Sequence, residues 1–157
     1  MTSSPLPAAL IEKLRETGIR LDRAGRFWHE DGEITHQRFR KTLLRWLDTR
    51  EDGRIVLRLD GERYAYIDID DAALLVTSMV WRDGVPMITL NDDSEEYLDC
   101  DTLEQAPDNS IYCRVREGKL LARFLTQPYY KLADFIEEIE DGFALRVGNK
   151  LYPIKSR

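Results

Sequence analysis

Apolar positions along this chain change period several times, and each change marks an element. Leu10, Ile11 and Leu14 recur at helical spacing between Pro7 and Gly18. That predicts a short amphipathic helix over residues 7–17, since Pro suits a first helical position and Gly a stop. From Gly18 to Ile34 the period shortens, and apolar stretches separated by Ala24-Gly25 and Asp31-Gly32 predict a tight β-meander. Helical spacing returns with Phe39, Leu43, Leu44, Trp46 and Leu47, a stripe expected to face the core. The Thr35 hydroxyl is placed to accept an N–H of that helix's first turn, and Glu51-Asp52-Gly53 follows as its stop.

Alternating strands come next. RIVLRL and ERYAYIDI flank Asp60-Gly61, a two-residue hairpin signal, and LLVTSMVW and VPMITL flank Arg82-Asp83-Gly84. The apolar density of LLVTSMVW predicts burial on both of its faces. Residues 91–110, NDDSEEYLDCDTLEQAPDNS, are the most polar part of the chain and are expected to form its longest and most mobile loop. A hairpin IYCRV-REG-KLLARF follows, then a helix predicted over 127–140 from Pro128 and the stripe Leu132, Phe135, Ile136 and Ile139, with Gly142 beyond it. FALRV and KLYPI around Gly148-Asn149 make a last hairpin.

Residues 35–67 and 126–154 share one order: Thr, amphipathic helix, Glu-Asp-Gly, strand, tight turn, strand. A helix covering one face of a two-stranded ribbon is a natural unit, though too small to be stable alone. The reading is therefore an α+β fold, mostly antiparallel, of two small subdomains with boundaries 1–71 and 72–157. The repeated helix-and-hairpin motifs would share a core, with a cleft where the halves meet.

Composition narrows the function more than the fold. With 43% hydrophobic and 33% charged residues the chain is an ordinary globular protein. No apolar run reaches the roughly 18 residues of a membrane span, and MTSSPLPAAL lacks the basic start of a signal peptide, so a cytoplasmic location without membrane contact is expected. Net charge is −6, with 13 Lys+Arg against 14 Asp+Glu over residues 1–71 and 10 against 15 over 72–157. Neither half is a basic module, which argues against a nucleic-acid partner. Cys100 and Cys113 match neither a zinc half-site nor a redox pair and read as reduced thiols, Cys113 in the core.

Candidate chemistry is sparse. His29, Asp31 and Glu33 fall on one face of a strand and turn, but solvated side chains around a turn account for them. Asp68, Asp70 and Asp71, and the run from Asp92 to Asp101, lack the spacing of an EF-hand. No phosphate loop, nucleophile elbow or His-Glu-x-x-His motif is present, which weighs against an enzyme, and no metal or cofactor is specified. Arg58, Arg63, Arg114, Arg116 and Arg123 lie on predicted strands and admit two readings. Either they pair with Glu on solvent faces, or they join Trp28, Tyr129 and Tyr130 in holding an anionic, ring-containing ligand.

GRFWHEDGEIT at 25–35, IDIDDA at 67–72, TLND at 89–92, VREGKLLAR at 115–123 and PYYKL at 128–132 together resemble a small bacterial family known as domain of unknown function twelve-eighty-five. The resemblance implies two α+β subdomains with repeated motifs and a role in signalling through a nucleotide-like ligand in the cleft between them. Carried onto this sequence, it points to Trp28, Ile34, Asp71, Asn91, Arg116, Arg123, Tyr129 and Tyr130. The chain departs from the family with Ala73-Leu74 in place of Pro-Phe, and with Thr126-Gln127 where an Arg often precedes the second helix. The expectation is a non-enzymatic binding or signalling protein whose ligand site draws on Trp28, Arg63, Asp71, Asn91, Arg116, Arg123, Tyr129 and Tyr130. The alternative is an adaptor that meets a protein partner through a hairpin edge or through residues 91–110. Oligomeric state is not specified.

Overall fold

The computed structural model of the chain describes Ala8, Glu12 and residues 15–157, so most of the helix expected over 7–17 lies outside the described residues. Its expected end is not helical. Glu16–Leu21 is strand β1, and Gly18, at φ 69, sits within that strand instead of closing a helix. The chain divides into two compact units, residues 1–71 and 72–157.

In the first unit β1 pairs with β2 (Phe27–His29), which pairs with β3 (Gly32–Ile34), the predicted meander. Helix α1 (Gln37–Trp46) follows, and its cap is His36 where Thr35 was expected: the imidazole Nδ1 accepts the Phe39 N–H at 3.2 Å. Leu43, Leu44 and Leu47 of its stripe are buried, while Phe39 is 43% exposed. The chain then makes β4 (Leu47–Thr49), β5 (Ile55–Arg58) and β6 (Tyr64–Ile69). Glu51-Asp52-Gly53 thus turns one strand into the next and does not stop a helix. Asp60-Gly61 belongs to a five-residue loop, since Arg58 pairs with Tyr64, so the expected two-residue turn is not formed. The sheet order is β3-β2-β1-β6-β5-β4, closed in its middle by the parallel pair β1/β6.

The second unit opens on β7 (Leu74–Arg82) and β8 (Val85–Leu90). Asp83 and Gly84 between them have φ 55 and 81, the left-handed pair that a two-residue hairpin turn requires. Burial on both faces holds only for the start of β7: Leu74, Leu75 and Val76 are covered, but Val80 is 47% exposed. Residues 91–110 are not the loop their polarity predicted. They form β9 (Glu95–Tyr97), a 3-10 turn at Cys100–Thr102 and β10 (Glu104–Gln105), and they bury Asp92, Leu98, Cys100 and Leu103. A few well-spaced apolar residues suffice to anchor an otherwise charged segment.

β11 (Ile111–Val115) and β12 (Leu120–Phe124) form the next hairpin, and β12 runs parallel to β7. With β16 (Lys155–Ser156) beside β10, the order is β16-β10-β11-β12-β7-β8-β9. Helix α2 covers only Thr126–Ala133, and the rest of the predicted helix is β13 (Ile136–Ile139). Ile136 and Ile139, three residues apart, have helical spacing, but β-branched side chains favour strand and the run is too short for spacing to decide. Pairing of Ile136 with Leu145 decides for strand, and β13 joins β14 (Gly142–Val147) and β15 (Lys150–Pro153) in a three-stranded sheet. The shared order of residues 35–67 and 126–154 is thus helix and three strands in both units, one strand more than a helix and hairpin. The fold is α+β, with antiparallel and mixed sheets.

Candidate functional site

The chain leaves β12 for α2 through Leu125, whose extended backbone donates its N–H to the Val76 carbonyl at 3.0 Å and supplies no side-chain cap. Pro128, at the third helical position, has no N–H, so the first turn of α2 presents only those of Thr126 and Gln127 outside the helical ladder. Facing this turn is the tight bend of residues 106–110. There Asn109 adopts φ 72, Ala106 N–H donates to the Ser110 carbonyl at 2.9 Å, and the Asp108 carboxylate accepts the Ser110 N–H at 3.0 Å.

Between the bend and the helix start lies a cavity of about 330 Å³, bordered by Asp108, Asn109, Ser110, Arg123, Phe124, Leu125, Thr126, Tyr129 and Tyr130. Arg123 reaches it from β12, opposite Tyr112 of β11. The two tyrosine rings stand edge to face, centroids 5.8 Å apart, and Tyr130 is 65% exposed. The arrangement sets the Arg123 guanidinium, the Asp108 carboxylate, hydroxyl groups and aromatic surface around an open space the size of a small organic molecule.

Three of the eight residues expected at a ligand site, Arg123, Tyr129 and Tyr130, therefore border one cavity. Arg116 and Asn91, in the same unit, are placed elsewhere. Arg116 sits in the left-handed turn after β11 and donates to the buried Asp92 carboxylate at 2.6 Å. Burial alone would raise the Asp92 carboxyl, but Ser94 hydroxyl and N–H and the Arg116 guanidinium together hold it below its usual value. Asn91 clasps the backbone of Leu75, its Oδ1 accepting that N–H at 3.0 Å and its own N–H donating to the carbonyl at 2.9 Å.

In the first unit, the Trp28 indole N–H donates to Asp22 at 2.9 Å. Asp22 also accepts the Ala24 and Arg26 N–H groups, and against burial, which raises its carboxyl, Trp28 and the N–H and guanidinium of Arg26 together lower it. Asp71 pairs with Arg23 at 3.3 Å, and Arg63 sits on the exposed β5–β6 loop, bound to Asp60 at 2.6 Å. His29 and Glu33, expected on one face, are on opposite ones: His29 pairs with Gly32 and Trp28 with Glu33, and neighbours in a strand alternate. Among the described residues no cluster of three potential metal ligands occurs. Cys100 and Cys113 are buried free thiols; burial pushes Cys100 up to about 11 and Cys113 higher still, so both stay protonated near neutral pH.

Sequence reading missed Asp108, Ser110 and Thr126 as cavity residues. The signal was local: Pro107-Asp108-Asn109-Ser110 is a strong turn sequence just before a strand, and Thr126 precedes a helix-opening Pro.

No family model matches the sequence, and no curated protein does so. Solved structures do match. A DUF1285 family protein from Silicibacter pomeroyi DSS-3 shares the fold with TM-score 0.73 and 22% identity, over 89% of this chain and 80% of that one. Another, from Shewanella baltica OS155, does so with TM-score 0.63 and 15% identity, over 76% and 93%. At these identities the likeness is one of fold, and it agrees with the short motifs that resemble the same family. No helix among the described residues is long and apolar enough to cross a membrane.

Proposed function

We propose that this chain is a non-enzymatic binding or signalling protein that holds a small anionic ligand in the cavity beside Arg123, Tyr129 and Tyr130. One observation supports the reading: residues separated in sequence, Asp108–Ser110, Arg123 and Thr126–Tyr130, border an open pocket of about 330 Å³ that brings together a guanidinium, a carboxylate and two phenol rings. A guanidinium fork donates in the plane that a carboxylate or phosphate accepts, and the rings supply stacking surface for a flat group. The adaptor reading finds less support. The β9 edge is three residues long with two glutamates, features that discourage strand addition, and residues 91–110 are folded into the sheet.

The test is a thermal-shift titration of the wild type and of Arg123→Gln with nucleotide monophosphates and small carboxylates. A ligand at ten times its Kd adds about 1.4 kcal/mol of stability, a readable rise in Tm. The expected result is a saturable rise in the wild type that needs about tenfold or more ligand in Arg123→Gln. No shift with any anion at millimolar concentration overturns the reading.

A further inference from the structure

Helix α1 carries Arg38, Arg40, Lys41 and Arg45 among its ten residues and no acid, in a chain of net charge −6. Leu43 and Leu44 turn one face of it inward. At about 100° per residue Arg38 and Arg45 fall opposite that face, and both are exposed. Phe39 and Trp46 follow them one position on, Phe39 43% exposed and Trp46 half-buried, so the outward surface sets an aromatic row beside a basic one. Between the rows Thr42 donates its hydroxyl to the Arg38 carbonyl at 3.0 Å, which leaves its methyl group to face outward.

The sequence offers Arg38 no carboxylate three or four residues away, and Asp48, three residues after Arg45, pairs with Arg58 at 2.9 Å. Arg40 differs, since its Nη2 donates to the Gly25 carbonyl at 3.2 Å and so serves the fold. Arginine beside exposed aromatic surface is the composition of a protein interface, and the charge calls for an acidic partner. Arg38 and Arg45, seven residues apart, are separated by about 10 Å along the axis, and acids seven apart on a second helix laid alongside have the same separation.

We infer that the outer face of α1 docks an acidic amphipathic helix of a protein partner, with carboxylates seven residues apart on Arg38 and Arg45 and an apolar side chain against Phe39. An RNA or an anionic membrane would meet the same guanidinium groups, but each is an extended polyanion that a chain of net charge −6 repels, whereas one helix face meets α1 alone. This surface does not depend on the function proposed above, since the anion response at Arg123 can fail with the helix still bound.

Fluorescence anisotropy of a labelled 21-residue Ala-rich helical peptide, with Glu at every seventh position and Leu three residues after each, tests this on the full chain. Saturable binding is expected, about tenfold weaker in the double variant Arg38→Ala, Arg45→Ala, at about threefold for each exposed ion pair. Phe39→Ser should weaken it about fivefold through the lost apolar contact. Circular dichroism of both variants should match the wild type, because the three side chains are exposed. A control peptide with Lys in place of each Glu should not bind. Absence of binding, equal affinity in the double variant, equal binding of the Lys peptide, or tighter binding of a single-stranded RNA or of phosphatidylserine vesicles than of the Glu peptide overturns the inference.

Discussion

Arginines meet a pair of tyrosines in each unit, to different ends. In the first unit Arg15 lies 3.7 Å over the Tyr64 ring and Arg54 3.4 Å over the Tyr66 ring, with Arg50 5.0 and 5.7 Å from the two. Each of these guanidinium groups also pairs with a carboxylate: Arg15 with Glu12, Arg54 with Glu16, and Arg58, itself 5.2 Å from Tyr64, with Asp48. The pleat explains the stack, because Arg58 pairs with Tyr64 and Val56 with Tyr66, which sets alternate residues of β5 and β6 on one face. In the second unit Arg123, Tyr129 and Tyr130 surround open volume, because the chain swings from strand to helix between them. Residue types alone do not separate a structural stack from an open pocket; guanidinium at contact distance from a ring closes the space, and a change of element opens it.

Three measurements would break or sharpen this contrast. The largest effect concerns Arg116 and Asp92, which the contrast assigns to the closed, structural kind. Asp92→Ala leaves the Arg116 guanidinium without its buried partner, and urea denaturation at pH 7 should show a loss of about 3 kcal/mol. Because the Asp92 carboxyl is lowered in the folded state, its contribution is fully present above the ordinary carboxylate range and is lost as pH falls through the lowered value. Urea melts from about pH 5 down to pH 2 should therefore show less acid sensitivity in Asp92→Asn than in the wild type. Unchanged stability in Asp92→Ala would overturn the assignment of Arg116 to the closed, structural kind.

The second concerns the two helix starts. α1 is closed by the His36 imidazole, whereas α2 begins without a side-chain cap beside the cavity. His36→Ala should cost about 1 kcal/mol of stability with the anion response of the wild type unchanged. The smallest effect is at the stack itself. Arg54→Ala removes a half-exposed guanidinium and should cost less than about 1 kcal/mol, again without altering ligand affinity. A loss of ligand binding in Arg54→Ala would show that the stack takes part in recognition, and the contrast would fail.

Much of the fold was legible before any coordinates. The meander of β1–β3, the Asp83-Gly84 hairpin and the buried α1 positions Leu43 and Leu44 are local matters of turn chemistry and periodicity, which a single sequence displays. Of the candidate site, Arg123, Tyr129 and Tyr130 were legible by residue type, but their shared pocket was not, since the bend at 106–110 reads as part of a polar loop. The errors share a cause. Ile136–Ile139 combines helical spacing with β-branched side chains, and residues 91–110 show few apolar positions, so in both cases the outcome rested on strand partners outside the segment.

What the amino-acid order determined by itself is where the chain turns and which faces are apolar, because those depend on neighbours a few residues apart. Only the tertiary structure decided the parallel pairs β1/β6 and β7/β12, the strand at Ile136–Ile139 and the space beside Arg123. Each of these is set by which surfaces meet across the fold, a choice made by burial and pairing over long sequence separations and not by any local preference.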